Sequence, residues 1–247
     1  MSTVFCDVDG TLRLGKRGAV SRETVEAAAR FIRSGDKFYP ITGAPMSHLP
    51  KGWEEWASGA YVESGWVCLS PYSKEPPFYD KEAQDAIKRL RRRLGIEVDD
   101  GPSLIPGVGT VIVEGGRWAS LTLLTGTPPH YPGVMGDAAL EPLKPLVWQY
   151  GLQAMSGRDT VYKWLDCIPG GKELTVRRFL DRGPLYYLGD GFNDLASMEL
   201  SGVIPVGFQN SIPEIQALAK QRGIYVDLPG PDGGVTEFFQ RLNSGKL

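Results

Sequence analysis

The 247-residue chain has no apolar run long enough to cross a bilayer. A membrane role is therefore not expected. It holds three cysteines, Cys6, Cys68 and Cys167, widely spaced and with no Cys-x-x-Cys pair. That excludes a disulfide framework and a zinc-ribbon pattern. The two histidines, His48 and His130, have no partner at metal-ligand spacing. The formal net charge is −2, too small a field to draw nucleic acid or an anionic membrane surface. No Gly-x-x-x-x-Gly-Lys-Ser/Thr stretch is present, so a P-loop nucleotidase is not expected, and no loop carries the alternating acids of an EF-hand. No leader segment is read, since the amino terminus runs directly into a strand, and a cytoplasmic location is expected.

What is present is ordinary globular composition, 42% hydrophobic and 23% charged, at a length where one domain begins to divide into two. The basic run Lys88-Arg89-Leu90-Arg91-Arg92-Arg93 lies in a helical pattern and reads as a solvated helix face rather than an anion patch. Residues 3–6 read as a buried strand. Residues 21–34 read as a helix capped by Ser21, with Val25, Ala28, Ala29 and Ile32 on one face. Residues 38–41 form a second strand. Strand, helix, strand begins an α/β domain with a parallel sheet.

Lys74-Glu75-Pro76-Pro77 reads as a linker. Beyond it come a charged helix (80–94), strands (109–113 and 118–125), a helix (137–150) and two more strands (152–155 and 160–167). This α+β pattern is expected to be a second, inserted domain. The first domain then resumes with helices at 172–182, 193–201, 211–222 and 233–243, alternating with strands at 185–188, 203–206 and 224–226. The expected organisation is α/β: a parallel-sheet core (1–77 and 169–247) interrupted by a smaller inserted α+β domain (78–168).

Two acidic motifs carry chemistry. Asp7-Val8-Asp9-Gly10-Thr11 follows the first strand, and Gly189-Asp190-Gly191-Phe192-Asn193-Asp194 follows a later one. A chance match to the second has odds of about one in ten thousand at this length, so a mere turn is a poor explanation of it. In an open α/β sheet, ligands bind beyond the carboxyl ends of the strands. Residues far apart in sequence are therefore expected to meet in one cleft. Asp7 suits a carboxylate nucleophile, and Asp9, two residues on, suits the acid that protonates a leaving oxygen and then activates water. Gly10 permits the tight turn, and Thr11 suits a hydrogen bond to the site's carboxylates or to phosphate. Asp190 and Asp194 offer hard oxygen ligands of the kind magnesium takes. Thr42-Gly43, expected at a helix start after the second strand, offers a hydroxyl and backbone N–H groups to an anion. Lys172, opening a helix after Gly170-Gly171, offers an ammonium to both phosphate and nucleophile.

In this order, the four pieces resemble the motifs of the haloacid dehalogenase-like superfamily: the Asp7 motif the first, Thr42 the second, Lys172 the third, and the Gly189–Asp194 loop the fourth. The α+β insertion resembles the class IIB cap found in Cof-type sugar phosphatases, sucrose-phosphate phosphatase and mannosyl-3-phosphoglycerate phosphatase. Two positions depart: Ser64 stands where several of these carry Asn, and Glu173 follows Lys172 where Gly is common. The resemblance implies a Rossmann-like parallel-sheet core with an inserted smaller α+β cap domain, and a phosphatase acting on a small phosphate monoester through an aspartyl phosphate. Asp7 and Asp9 would be catalytic. Thr42, Gly43, Lys172 and Asn193 would bind phosphate. Asp7, the Asp9 carbonyl, Asp190 and Asp194 would hold Mg2+. Arg158, Lys163 and His130 are candidates in the cap for contacting substrate. No nucleic-acid or membrane partner is expected, and the chain is expected to be a monomer or small homo-oligomer. Two other functions fit the same motifs: a phosphomutase, and a phospho-ligand binding protein without turnover.

Overall fold

The computed structural model describes residues 1–15, 18–71, 78–129, 131–158 and 160–247. Lys74–Pro77 and His130 lie outside them. The chain divides into two units, Met1–Phe78 with Gly171–Leu247, and Tyr79–Gly170.

The first unit is built on β1 (Thr3–Asp7), whose Val4, Phe5 and Cys6 are fully buried. A strand covered on both faces reads as a continuous apolar run, which is why it is visible in the sequence. Helix α1 (Arg22–Arg33) follows, then β2 (Lys37–Ile41), β3 (Ala60–Val62), β4 (Val67–Leu69) and, where the first unit gives way to the second in sequence, β5 (Phe78–Tyr79).

The second unit contributes α2 (Lys81–Leu94), β6 (Gly101–Ile105), β7 (Gly109–Val113), β8 (Leu121–Gly126), α3 (Lys144–Gln149), β9 (Gln153–Arg158) and β10 (Tyr162–Ile168). The first unit resumes with α4 (Glu173–Arg177), β11 (Leu185–Leu188), α5 (Phe192–Met198), β12 (Val203–Phe208), α6 (Pro213–Arg222), β13 (Ile224–Val226) and α7 (Val235–Asn243).

The core sheet runs β13-β12-β11-β1-β2-β3-β4-β5. The pairs from β13 through β3 are parallel, and β4 turns back antiparallel on β3. From β1 the chain winds first to the β2 side and later to the β11 side. The sheet therefore has its topological switch point at β1, where ligand crevices form. Register places Cys6 beside Leu188 and Asp7 beside Ile41. The acidic motifs and Thr42 accordingly leave the sheet at one level.

Helix α1 is capped as expected: Ser21 Oγ accepts from the Thr24 N–H at 3.1 Å. Its buried face is different. Thr24, Ala27, Ala28 and Phe31 are buried, while Val25, Ala29 and Ile32 are half-buried. The reason is α7, which packs on the small residues. Thr24 and Thr236 share a hydrogen bond at 2.7 Å between their hydroxyls, and Phe31 meets Phe239 at 5.5 Å between ring centroids.

The second unit is an antiparallel sheet, β6-β7-β8-β10-β9. Ile87, Leu90 and Leu94 of α2 share a core with Val111, Val113, Leu121, Leu123, Leu165 and Cys167 of the sheet. Lys88, Arg89, Arg92 and Arg93 lie exposed on the opposite side of α2, so the basic run is a solvated face. Edge strand β6 was not anticipated, because Gly101-Pro102-Ser103 reads as a turn. Proline is tolerated at such an edge. The helix expected at 137–150 is a single 3₁₀ turn at Glu141–Leu143 followed by α3. Asp137 instead caps a strand, its Oδ1 accepting from the Thr110 N–H at 2.6 Å. The helix expected at 172–182 is regular only over Glu173–Arg177. Among the described residues, no helix is long and apolar enough to cross a membrane.

Candidate active site

Four sequence-distant side chains meet where β1 and β11 end. Lys172, 2% exposed at the start of α4, donates from Nζ to Asp7 Oδ1 and, at 2.8 Å, to Asp194 Oδ1. Asp194 is fully buried on α5. It also accepts from the Tyr187 hydroxyl at 2.8 Å, and its Oδ2 accepts from the Asp190 and Gly191 N–H groups, both at 3.2 Å. Thr11 Oγ1 donates to Asp190 Oδ1 at 2.7 Å. Glycine is required where these chains converge. Gly10 has φ +93°, and a Cβ there would overlap the Asp190 carboxylate. A Cβ on Gly189 would come within 2.6 Å of Asp194 Cβ.

The electrostatics follow from crowding carboxylates in a dry place. Burial, then the Asp194 charge, pushes Asp7 well above the usual carboxylate range, against the pull of Lys172. Asp190 is pushed up to about 6, chiefly by burial, with Thr11's hydrogen bond acting the other way. Burial disfavours the Lys172 ammonium, but Asp194 and Asp7 outweigh it and hold its pKa above the ordinary value. Cys6 is packing: its Sγ lies 3.1 Å from the Asp7 carbonyl, and burial pushes its thiol up, away from the reactive range.

The donor set fits a hard divalent cation. Asp7, Asp190 and Asp194 offer carboxylate oxygens within 4.8 Å of one another. Three carboxylates face one ammonium, which leaves two negative charges when all are ionised. Oxygen donors of this kind suit magnesium or calcium rather than a softer metal.

The remaining expected residues are placed less centrally. Asp9 is outside the carboxylate cluster, and its Oδ1 accepts from Arg13 Nε at 2.9 Å. Thr42 is buried one residue beyond Asp7's ladder partner. It sits in a turn rather than at a helix start: its Oγ1 accepts from the Ala44 N–H at 3.1 Å, and a short 3₁₀ turn follows at Met46–His48. Gly43 is half-buried in the same turn. Asn193 is exposed on α5 beside Gly191. Arg158 and Lys163 face each other across the β9–β10 ladder, both exposed.

Tyr187 and Arg13 had no motif to announce them. Tyr187 stands inside an apolar strand, and its hydroxyl is the only signal. Glu63 and Ser64 are a further surprise: with φ of +53° and +60° they precede Gly65 at +94°. Non-glycine residues in this region cost about 1–3 kcal/mol each and gather at functional sites. Here the run clamps the Thr42 turn, with Ser64 N–H donating to the Thr42 carbonyl at 2.9 Å and Glu63 N–H to the Ala44 carbonyl at 3.0 Å.

No protein-family model matches the chain, and no curated protein matches it in sequence. Solved structures do match. A phosphatase of the HAD superfamily from Bacteroides thetaiotaomicron aligns at TM-score 0.65 and 18% identity, over 100% of this chain and 96% of that one. A haloacid dehalogenase-like hydrolase from the same organism aligns at 0.63 and 18%, over 98% and 99%. A HAD subclass IIB sugar phosphatase aligns at 0.59 and 14%, over 100% of both chains. The chain thus has the fold of the haloacid dehalogenase-like phosphatases, a Rossmann-like core carrying an inserted α+β unit.

Proposed function

We propose that this protein is a magnesium-dependent phosphatase that hydrolyses a small phosphate monoester through an aspartyl phosphate on Asp7. The observation that carries the reading is the convergence of Asp7, Lys172, Asp190 and Asp194, drawn from both ends of the chain, at the switch point of a parallel sheet. A bare turn motif gives no reason for a buried lysine shared between two carboxylates.

In this mechanism an oxygen of Asp7 attacks phosphorus, and the bond from phosphorus to the leaving oxygen breaks. Asp9 delivers a proton to that oxygen. Asp9 then takes a proton from water as the water attacks the aspartyl phosphate, releasing inorganic phosphate and restoring both carboxyl groups. Lys172 holds Asp7 in place and neutralises charge on the transferring group. Thr42, the Gly43 backbone and Asn193 would bind the phosphate oxygens. Asp7, Asp190, Asp194 and the Asp9 carbonyl would hold the magnesium, which supplies charge neutralisation to a loose, anionic transition state. Asp194 already accepts four hydrogen bonds, so its larger part is to orient Lys172 and the loop.

The test is phosphate release from a panel of sugar phosphates, phosphoglycolate, glycosyl-phosphoglycerates and nucleotides. Release that stops in chelator and returns with magnesium supports the reading. Release unaffected by chelator removes the metal from it, and no release from any ester removes the activity. Transfer of the phosphoryl group to a second sugar hydroxyl, with little free phosphate, would identify a mutase instead.

A further inference from the structure

Arg13 takes part in no step above, yet it is 4% exposed and lies against the acid of the mechanism. The loop after β1 folds it there. The Leu12 and Arg13 N–H groups both donate to the Val8 carbonyl at 3.0 Å, and the Gly10 N–H donates to the Arg13 carbonyl at 2.9 Å. Asp9 and Arg13 thereby form an isolated backbone bridge. Their side chains pair as well, Arg13 Nε to Asp9 Oδ1 at 2.9 Å. The other arm of the guanidinium, Nη2, donates to the His48 carbonyl at 2.6 Å.

A guanidinium is always charged, and burying one demands fixed partners. Here one partner is the carboxyl of Asp9 and the other is the backbone of the Met46–His48 turn. The fork has a rigid shape, so it constrains direction as well as charge. Its hold on Oδ1 leaves Oδ2 as the oxygen that carries the proton to be delivered. Proton transfer requires that oxygen within hydrogen-bond reach of the leaving group, so small rotations of Asp9 matter.

We infer that Arg13 is a positioning residue that fixes the carboxyl of Asp9 for protonation of the leaving group and ties it to the Met46–His48 turn. The inference rests on the phosphatase reading above.

The discriminating variable is the leaving group. A p-nitrophenolate departs without a proton, whereas a sugar alkoxide needs one. The parameter kcat/KM reports steps up to cleavage of the ester and so isolates the acid role of Asp9 from its later role toward water. The probes are p-nitrophenyl phosphate and glucose 6-phosphate, or whichever sugar phosphate the parent turns over fastest. Arg13→Gln is expected to lower kcat/KM about 10- to 100-fold for the sugar phosphate, a part of what a general acid contributes. It should change kcat/KM by less than about threefold for the p-nitrophenyl ester, which gains little from an acid. Arg13→Lys, which keeps the charge and loses the fork, should fall between parent and Arg13→Gln.

Thermal melts establish that each variant is folded. Equal losses on both esters, no loss on either, or failure of both variants to fold would make Arg13 a structural clamp and overturn the inference. A parent that releases phosphate from neither ester fails at the earlier reading, and that outcome is separate from all of these.

Discussion

At the residue scale, the site is a set of carboxylates held at an uncomfortable density, with Lys172 as the buried countercharge. Asp190 gives this a measurable consequence. Its folded-state pKa of about 6 lies above the value of about 3.9 for an unstructured aspartate. Between those values the folded chain keeps a proton that the unfolded chain has lost. Ionisation of Asp190 therefore lowers the stability of metal-free protein as pH rises from about 4 to about 6, and the full penalty remains above that. Asp190→Asn removes the titrating group. The melting temperature of Asp190→Asn minus that of the parent, both in chelator, should increase across that window and then level off. A difference that is flat with pH would contradict this description of the site. The meeting of Asp7, Asp190 and Asp194 was legible in sequence because they lie in dense motifs with glycine at strand ends. Tyr187 and Arg13 were not, since each depends on a partner set by tertiary structure, Asp194 for one and Asp9 with the His48 carbonyl for the other.

At the element scale, the loop from β1 has no spare room. Gly10 combines φ +93° with a close approach to Asp190. Gly10→Ala should destabilise the fold by about 1–3 kcal/mol, the usual range for a side chain forced into that backbone region. It should also weaken binding at the proposed magnesium site, because relief of the overlap displaces the Asp190 carboxylate. Denaturant unfolding and metal titration measure the two effects, and a variant with parental stability would show that the loop relaxes freely. Elements buried on both faces, β1 and β11, were readable as apolar runs. The face of α1 was misread because a polar contact, Thr24 with Thr236, sets its rotation, and no apolar periodicity encodes that. The Thr42 turn escaped the same way. Its shape comes from the left-handed run Glu63-Ser64-Gly65, which propensity argues against for the first two residues.

At the scale of the whole molecule, the order of the strands is what joins residues 7 and 194. The chain leaves β1 on one side, forms a complete second unit, and returns on the other side. An α/β core interrupted by an α+β segment was visible in the alternation of elements, and the crevice at the switch point follows from that alternation. Substrate choice was not legible. Nothing in the spacing of Arg158 and Lys163 specifies a leaving group, and both are exposed on their own sheet.

If phosphoryl transfer passes through Asp7 as proposed, the phosphoryl group can be trapped there. Parent protein and Asp7→Asn would be mixed with magnesium and a reactive phosphate ester, quenched in acid, and digested for peptide mass analysis. The mechanism predicts a phosphoryl adduct on the peptide that contains Asp7 in the parent, and neither adduct nor turnover in Asp7→Asn. An adduct on another residue, or turnover by Asp7→Asn within tenfold of the parent, would contradict it, since loss of the covalent nucleophile removes far more than one factor of ten.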